Sequence, residues 1–230
     1  MGLLSEFNHH KRVNDILLGP LERPALQWLA AHMPRWVNPD ILTGVGVFGT
    51  LVTFMGYVLS GQNRMWLWIA SLGYVINWFG DSLDGTLARY RHIERPRYGF
   101  YIDHVTDAIC QVITFIGLGL SPYVTFNVAM VALAGYLLLS ILVYVNTYVI
   151  GLYRLSYGKL GPTEVRGIAI LMNTTMFFFG ARWITFDLPL VKPVSVGIYD
   201  LLVGTIGFLL FGFFINTAWH KGRELAKLGE

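Results

Sequence analysis

Six long apolar runs divide this 230-residue chain, at approximately 41–61, 66–88, 99–120, 123–151, 164–185 and 197–219. A helix needs about 20 apolar residues to cross the hydrocarbon core of a bilayer. Each run meets that length, and the linkers between them are short. Charged residues make up only 13% of the chain against 54% hydrophobic ones. That is about half the charge of an ordinary soluble domain, too little to cover a core of this size with a solvated surface. A soluble enzyme and a disordered chain are both excluded. The expected fold is an all-α integral membrane protein of six transmembrane helices.

The fourth run is too long for an untilted span and should tilt or project. Its far end carries Asn146, Thr147 and Tyr148. Ahead of the first run, Leu26, Leu29, Ala30 and Met33 share one helical face, with Trp28 and Trp36 flanking. Residues 25–35 therefore read as an interfacial amphipathic helix, with Pro20 and Pro24 breaking the chain before it. The expected division is an N-terminal interfacial segment (1–38), a transmembrane domain (39–220) and a short tail (221–230). No leader is read in the polar stretch Met1–His10.

All the Lys and Arg residues except Arg64, Arg182 and Lys192 fall on one side of this arrangement. The bias puts both termini in the cytoplasm, which in a bacterium means the inner membrane. The basic residues lie between apolar runs and form no solvated patch, so nucleic acid is not an expected partner. The single cysteine, Cys110, rules out an internal disulfide and a cysteine-based zinc site.

Four aspartates stand within or at the ends of the second and third runs. Asp81 and Asp84 are three residues apart, and Asp103 and Asp107 four apart, so each pair shares a helix face. The runs are antiparallel neighbours, which brings all four to one depth near the cytoplasmic surface. An intramembrane carboxylate costs about 2.5–3.5 kcal/mol, so four together point to function. Carboxylates this close repel unless cations sit between them. Oxygen-only ligands select hard ions such as Mg²⁺ or Mn²⁺, which commonly share phosphates with their protein ligands. Gly80, Gly85 and Gly99 flank the aspartates and allow close approach of either a ligand or a neighbouring helix. Arg89, Arg91, Arg95 and Arg97 follow in the loop, as phosphate partners or as topology signals. An ion path through a cation transporter would also explain the four aspartates.

Residues 81–107 carry Asp81-x2-Asp84-Gly85-x2-Ala88-Arg89, nine further residues, then Gly99-x3-Asp103-x3-Asp107. This resembles the signature of the CDP-alcohol phosphotransferases, with all eight fixed positions present and one extra residue in the loop. Asn38-Pro39 with Thr43 is similar to that family's Pro-Asn-x-x-Thr entry to the first span, with the first two residues exchanged. The resemblance implies a transferase that moves a phosphoalcohol group from a CDP-alcohol to an acceptor alcohol and releases CMP. One of the two substrates is then a lipid, and the product a phospholipid or its precursor. It implies two Mg²⁺ or Mn²⁺ ions on Asp81, Asp84, Asp103 and Asp107. Asp84, Gly85, Ala88 and Arg89, with Gly99 and Thr43, would lie against CDP, and Asp107 or His104 would take the acceptor's proton. It also implies a homodimer.

The substrate cues conflict. Short members commonly take CDP-diacylglycerol, and a phosphatidyl group is the expected cargo. Yet Asp103-His104 resembles the choline and ethanolamine phosphotransferases, which use a CDP-aminoalcohol and diacylglycerol and carry Glu where this chain has Phe100. A second cluster, Glu164 and Arg166 with Arg154 and Lys159 before them, is the candidate reader of the acceptor head group. A plain helix start with Pro162, Thr163 and Glu164 in preferred positions is the alternative. The aspartate-motif membrane prenyltransferases are a rival enzyme class, set apart by Gly85, Ala88 and Arg89.

Overall fold

A computed structural model describes residues 11–13, 17–150, 152–154, 161–186 and 194–227. Seven helices dominate: α1 (Gly19–His32), α2 (Pro39–Leu59), α3 (Trp66–Tyr90), α4 (Pro96–Leu120), α5 (Phe126–Ile150), α6 (Pro162–Phe179) and α7 (Ile198–Lys227). Two short ladders complete the described chain. Strand β1 (Lys11–Val13) pairs in parallel with β2 (Leu152–Arg154), and β3 (Trp183–Phe186) pairs antiparallel with β4 (Val194–Gly197).

Helices α2, α5 and α7 are each long and apolar enough to cross a membrane. In α3, α4 and α6 carboxylates, amides and arginines dilute the apolar character. The protein is thus a helical, multi-pass membrane protein with three spans marked by hydropathy; the count of six is an expectation.

Two expected boundaries move. The fifth run was expected to continue to residue 185, but α6 stops at Phe179, where Gly180 takes a left-handed φ of 68°. Trp183–Phe186, rich in aromatic and β-branched residues, then forms a strand. The first helix starts earlier than expected. Pro20 occupies its first turn, where proline lacks only a donor that would be unpaired anyway. Pro24 lies inside the helix and does not break it.

Asn38 starts α2 with its side chain accepting from the Ile41 amide at 2.8 Å. The α2–α3 seam is the tightest in the bundle. Gly46 faces Gly80, Gly49 faces Gly73 and Gly56 faces Ala70, so the two backbones touch. One apolar cluster, with Tyr57, Leu67, Ala70 and Met176 fully buried, fills the end near the α2–α3 turn. A second, built from Leu26, Ala30, Leu42, Leu83 and Leu87, fastens α1 across α2 and α3 at the opposite end.

Candidate active site

The aspartates lie at the α1 end of the bundle. Asp81, Asp103 and Asp107 each offer a carboxylate oxygen, and these oxygens lie within 4.8 Å of one another. Asp84 is the fourth residue of the motif but is engaged elsewhere. Its Oδ2 accepts the Thr43 hydroxyl at 2.6 Å, and its Oδ1 accepts the Gly85 amide at 2.5 Å. A cavity of about 10 Å³ opens beside the cluster, lined by Thr43, Gly46, Asn77, Asp81, Thr106 and Asp107 among others.

Arg166 reaches this cluster from α6. Its Nη2 donates to Asp81 Oδ2 at 2.5 Å and its Nε to Asn77 Oδ1 at 2.8 Å. Its Nη1 is buried without a hydrogen-bond partner. Asn77 in turn donates to the Gly46 carbonyl at 3.0 Å and the Thr50 hydroxyl at 3.2 Å. It therefore ties α2, α3 and α6 together beside Asp81. Sequence reasoning missed Asn77. The available signal was an amide in an apolar run, four residues and one helical turn before Asp81.

His104 Nδ1 lies 2.6 Å from the Phe100 carbonyl. A carbonyl only accepts, so Nδ1 carries the proton and Nε2 keeps the basic lone pair in the neutral ring. The ring stacks on Phe100 with centroids 4.0 Å apart and meets Tyr144 edge-on at 4.7 Å. Its Nδ1 is 3.8 Å from Asp103 Oδ2. Tyr144 on α5 is a second neighbour that the sequence did not single out.

The expected phosphate-facing arginines divide. Arg91 spends its guanidinium on backbone, donating to the carbonyls of Val37, Met33 and Pro34 at 2.5, 2.8 and 2.9 Å. Arg95 pairs with Asp40 at 2.5 Å. Arg89 folds back along α3, with Nη2 on the Thr86 hydroxyl at 3.2 Å, and covers Gly85. Ala88 is half-buried beside it, and Gly99 has open space around its α-carbon. Gly80 serves helix packing, not ligand approach, because it abuts Gly46 and the Leu42 carbonyl.

In the acceptor cluster, Glu164 is buried and bound to backbone. Its Oε1 accepts the Leu18 amide at 2.8 Å, and its Oε2 the Gly161 amide at 2.9 Å. It is a structural anchor, and among the described side chains of this cluster Arg166 reaches the aspartates. Arg154 belongs to β2 by its backbone; its side chain and Lys159 lie outside the described residues.

The site is thus an all-oxygen carboxylate cluster beside a buried guanidinium in a membrane-embedded helical bundle. The chain belongs to the CDP-alcohol phosphatidyltransferase family, whose profile matches residues 36–198. It is similar to the cholinephosphotransferase 1 of Gallus gallus, at 30% identity over 77% of this chain and 55% of that protein. The cholinephosphotransferase 1 of Mus musculus is 25% identical over 94% of this chain and 56% of its own length. The chain thus spans about half the length of the curated relatives it matches.

Proposed function

We propose that the protein transfers a phosphoalcohol group from a CDP-alcohol to an acceptor alcohol, one of them a lipid, and releases CMP. The carrying observation is the convergence of Asp81, Asp103 and Asp107 inside the family's motif. Oxygen donors alone fit a hard divalent cation, Mg²⁺ or Mn²⁺, and Asp84, held by Thr43 and Gly85, would be the further carboxylate for a second ion. When bound, such ions neutralise the pyrophosphate and the charge that develops on departing CMP.

The protein's own groups do the rest. The acceptor hydroxyl attacks the phosphorus that bears the donor alcohol, and the bond from that phosphorus to the CMP oxygen breaks. The hydroxyl proton passes to Asp107 or to His104, whose Nε2 is the basic nitrogen of the ring; such a base contributes about 10²–10⁴-fold. Thr43 fixes the Asp84 carboxylate. Asp84, Gly85, Ala88, Arg89 and Gly99 accommodate the nucleotide. Arg166 offers its unpartnered Nη1 to the acceptor head group.

The names of the relatives favour phosphocholine as the transferred group. The site faces the cytoplasm together with both termini, in keeping with the distribution of basic residues. The working unit is a homodimer, which light scattering in detergent checks. The deciding experiment measures CMP release by the full chain with Mn²⁺ or Mg²⁺, a panel of CDP-alcohols and a panel of acceptors. Asp107→Asn serves as the blank. CMP from one donor–acceptor pair, lost in the blank, supports the reading and fixes the lipid. Folded protein that releases no CMP from any pair, and gains no thermal stability from CDP or metal, overturns it in favour of a transporter.

A further inference from the structure

We infer that Glu22, in the N-terminal helix, is a positioning residue for the Arg166–Asp81 pair; the inference rests on the reading of Asp81 as a cation ligand. Glu22 Oε1 accepts two hydrogen bonds, from the Trp78 indole at 2.8 Å and from the Thr163 hydroxyl at 2.9 Å. Trp78 is on α3, three residues before Asp81. Thr163 is on α6, three residues before Arg166. Residues three apart in a helix lie on one face, a turn from each other. Helices α3 and α6 run antiparallel, so Trp78 and Thr163 stand a turn to either side of the ion pair, and one carboxylate oxygen joins the two helices across it.

The clamp is itself held. The Leu18 amide is bound to Glu164, and Leu26 and Ala30 pack with Leu83 and Leu87. Helix α1 is thus tied to α6 at Leu18 and to α3 by its apolar face, so a shift of α6 against α3 strains the Glu22 bonds. At the far end of α6, Asn173 donates to Ser71 of α3 at 3.1 Å and accepts from Tyr57 at 2.9 Å. The two helices are pinned at that end by Asn173 and at the site end by Glu22. Between the pins stands Arg166, with a buried Nη1 that has no partner. Leaving such a donor unpaired is costly, so the guanidinium has reason to move once the frame loosens. Glu22 keeps it on Asp81.

A guanidinium on Asp81 opposes a second cation there. Mn²⁺ binding without substrate therefore reports where Arg166 stands. Electron paramagnetic resonance of the full chain in detergent would give the Mn²⁺ affinity of wild type, E22Q, E22A, T163V, R166Q and the E22A/R166Q double variant. R166Q should tighten Mn²⁺ by about tenfold, and E22A and T163V by about three- to tenfold. The double variant should bind no tighter than R166Q alone. E22Q, whose amide oxygen still accepts both bonds, should match wild type. E22A or T163V with wild-type Mn²⁺ affinity, or an E22A effect that adds in full to that of R166Q, overturns the proposal, whatever the change in melting temperature. If wild type binds no Mn²⁺, the metal reading falls, and hydrogen exchange at residues 163–167 judges the clamp by itself. Faster exchange in E22A but not in E22Q supports it, and unchanged exchange overturns it.

Discussion

Helices α3 and α4 each supply two aspartates of the motif, yet they are built in opposite ways. The backbone of α3 lies directly on that of α2 through Gly80, Gly73 and Ala70. Its last turns bury Leu83 and Leu87 completely. In α4 the first six residues are exposed, and the first buried side chain is Cys110, beyond both aspartates. Asp81 and Asp84 therefore stand on a fixed frame, while Asp103 and Asp107 stand on a helix with room beside it. The two halves of the site are packed to different degrees, and substitutions should separate them.

The largest expected contrast is between two glycines. A Cβ at position 80 would meet the Gly46 amide nitrogen and the Leu42 carbonyl oxygen at distances no real Cβ tolerates. Both neighbours are backbone and cannot rotate away. Gly80→Ala should therefore cost about 3 kcal/mol or more, read as a fall in thermal stability in detergent. A Cβ at Gly99 has nothing within 4 Å. Gly99→Ala should leave stability unchanged or raise it by up to about 1 kcal/mol, because alanine favours helix. Equal losses at both positions would mean that α4 is as tightly framed as α3.

The next contrast uses two arginines of one loop. Arg91 satisfies three carbonyls where the chain turns from α1 into α2. Hydrogen bonds from a charged donor contribute about 1.5–3 kcal/mol, so Arg91→Ala should cost about 2–3 kcal/mol. Arg95 and Asp40 are both about half exposed, at 51% and 46%. Arg95→Ala should cost much less than Arg91→Ala, with the effect fading in high salt. Salt-insensitive, equal losses would show that the start of α4 is anchored as firmly as the end of α3.

These arginines also show what the sequence carried and what it did not. The eight motif positions, their helices and the antiparallel neighbourhood of the aspartate pairs were legible, because spacing fixes which side chains share a face. The fate of Arg91 was not, because a sequence shows a charge but not which carbonyls a turn leaves unpaired. Gly80 allowed ligand approach or helix approach, and only the position of Gly46 across the seam decides between them. Glu164 could be read as a head-group charge or as part of a plain helix start; its bond to the Gly161 amide is the helix start, and its second partner, the Leu18 amide, is one that sequence cannot place. Pro24 signalled a break and became part of α1, whose packing on Leu83 and Leu87 outweighs one forgone hydrogen bond. Asn77 went unread because its place one turn before Asp81 gains meaning only once α6 brings Arg166 against it.

The smallest expected effect tests the joint between the two helices. Helix α3 ends with the Ile93 amide on the Ala88 carbonyl at 3.0 Å and the His92 amide on the Arg89 carbonyl at 3.2 Å. That pair of bonds is a Schellman ending, and it requires a left-handed residue at position 92. Glycine commonly fills this place; here it is His92, at φ 55°. A side chain in that region costs about 1–2 kcal/mol, part of which a substituted glycine gives back as added freedom of the unfolded chain. His92→Gly should therefore raise thermal stability by up to about 1 kcal/mol. His92 is exposed and lies in the loop that carries one residue more than the family spacing. A gain in stability with unchanged Mn²⁺ affinity would place the extra residue in a turn that bears on neither half of the site. A change in Mn²⁺ affinity would mean that the loop helps set the separation of Asp81 from Asp103, and that the open helix takes its position from the fixed one.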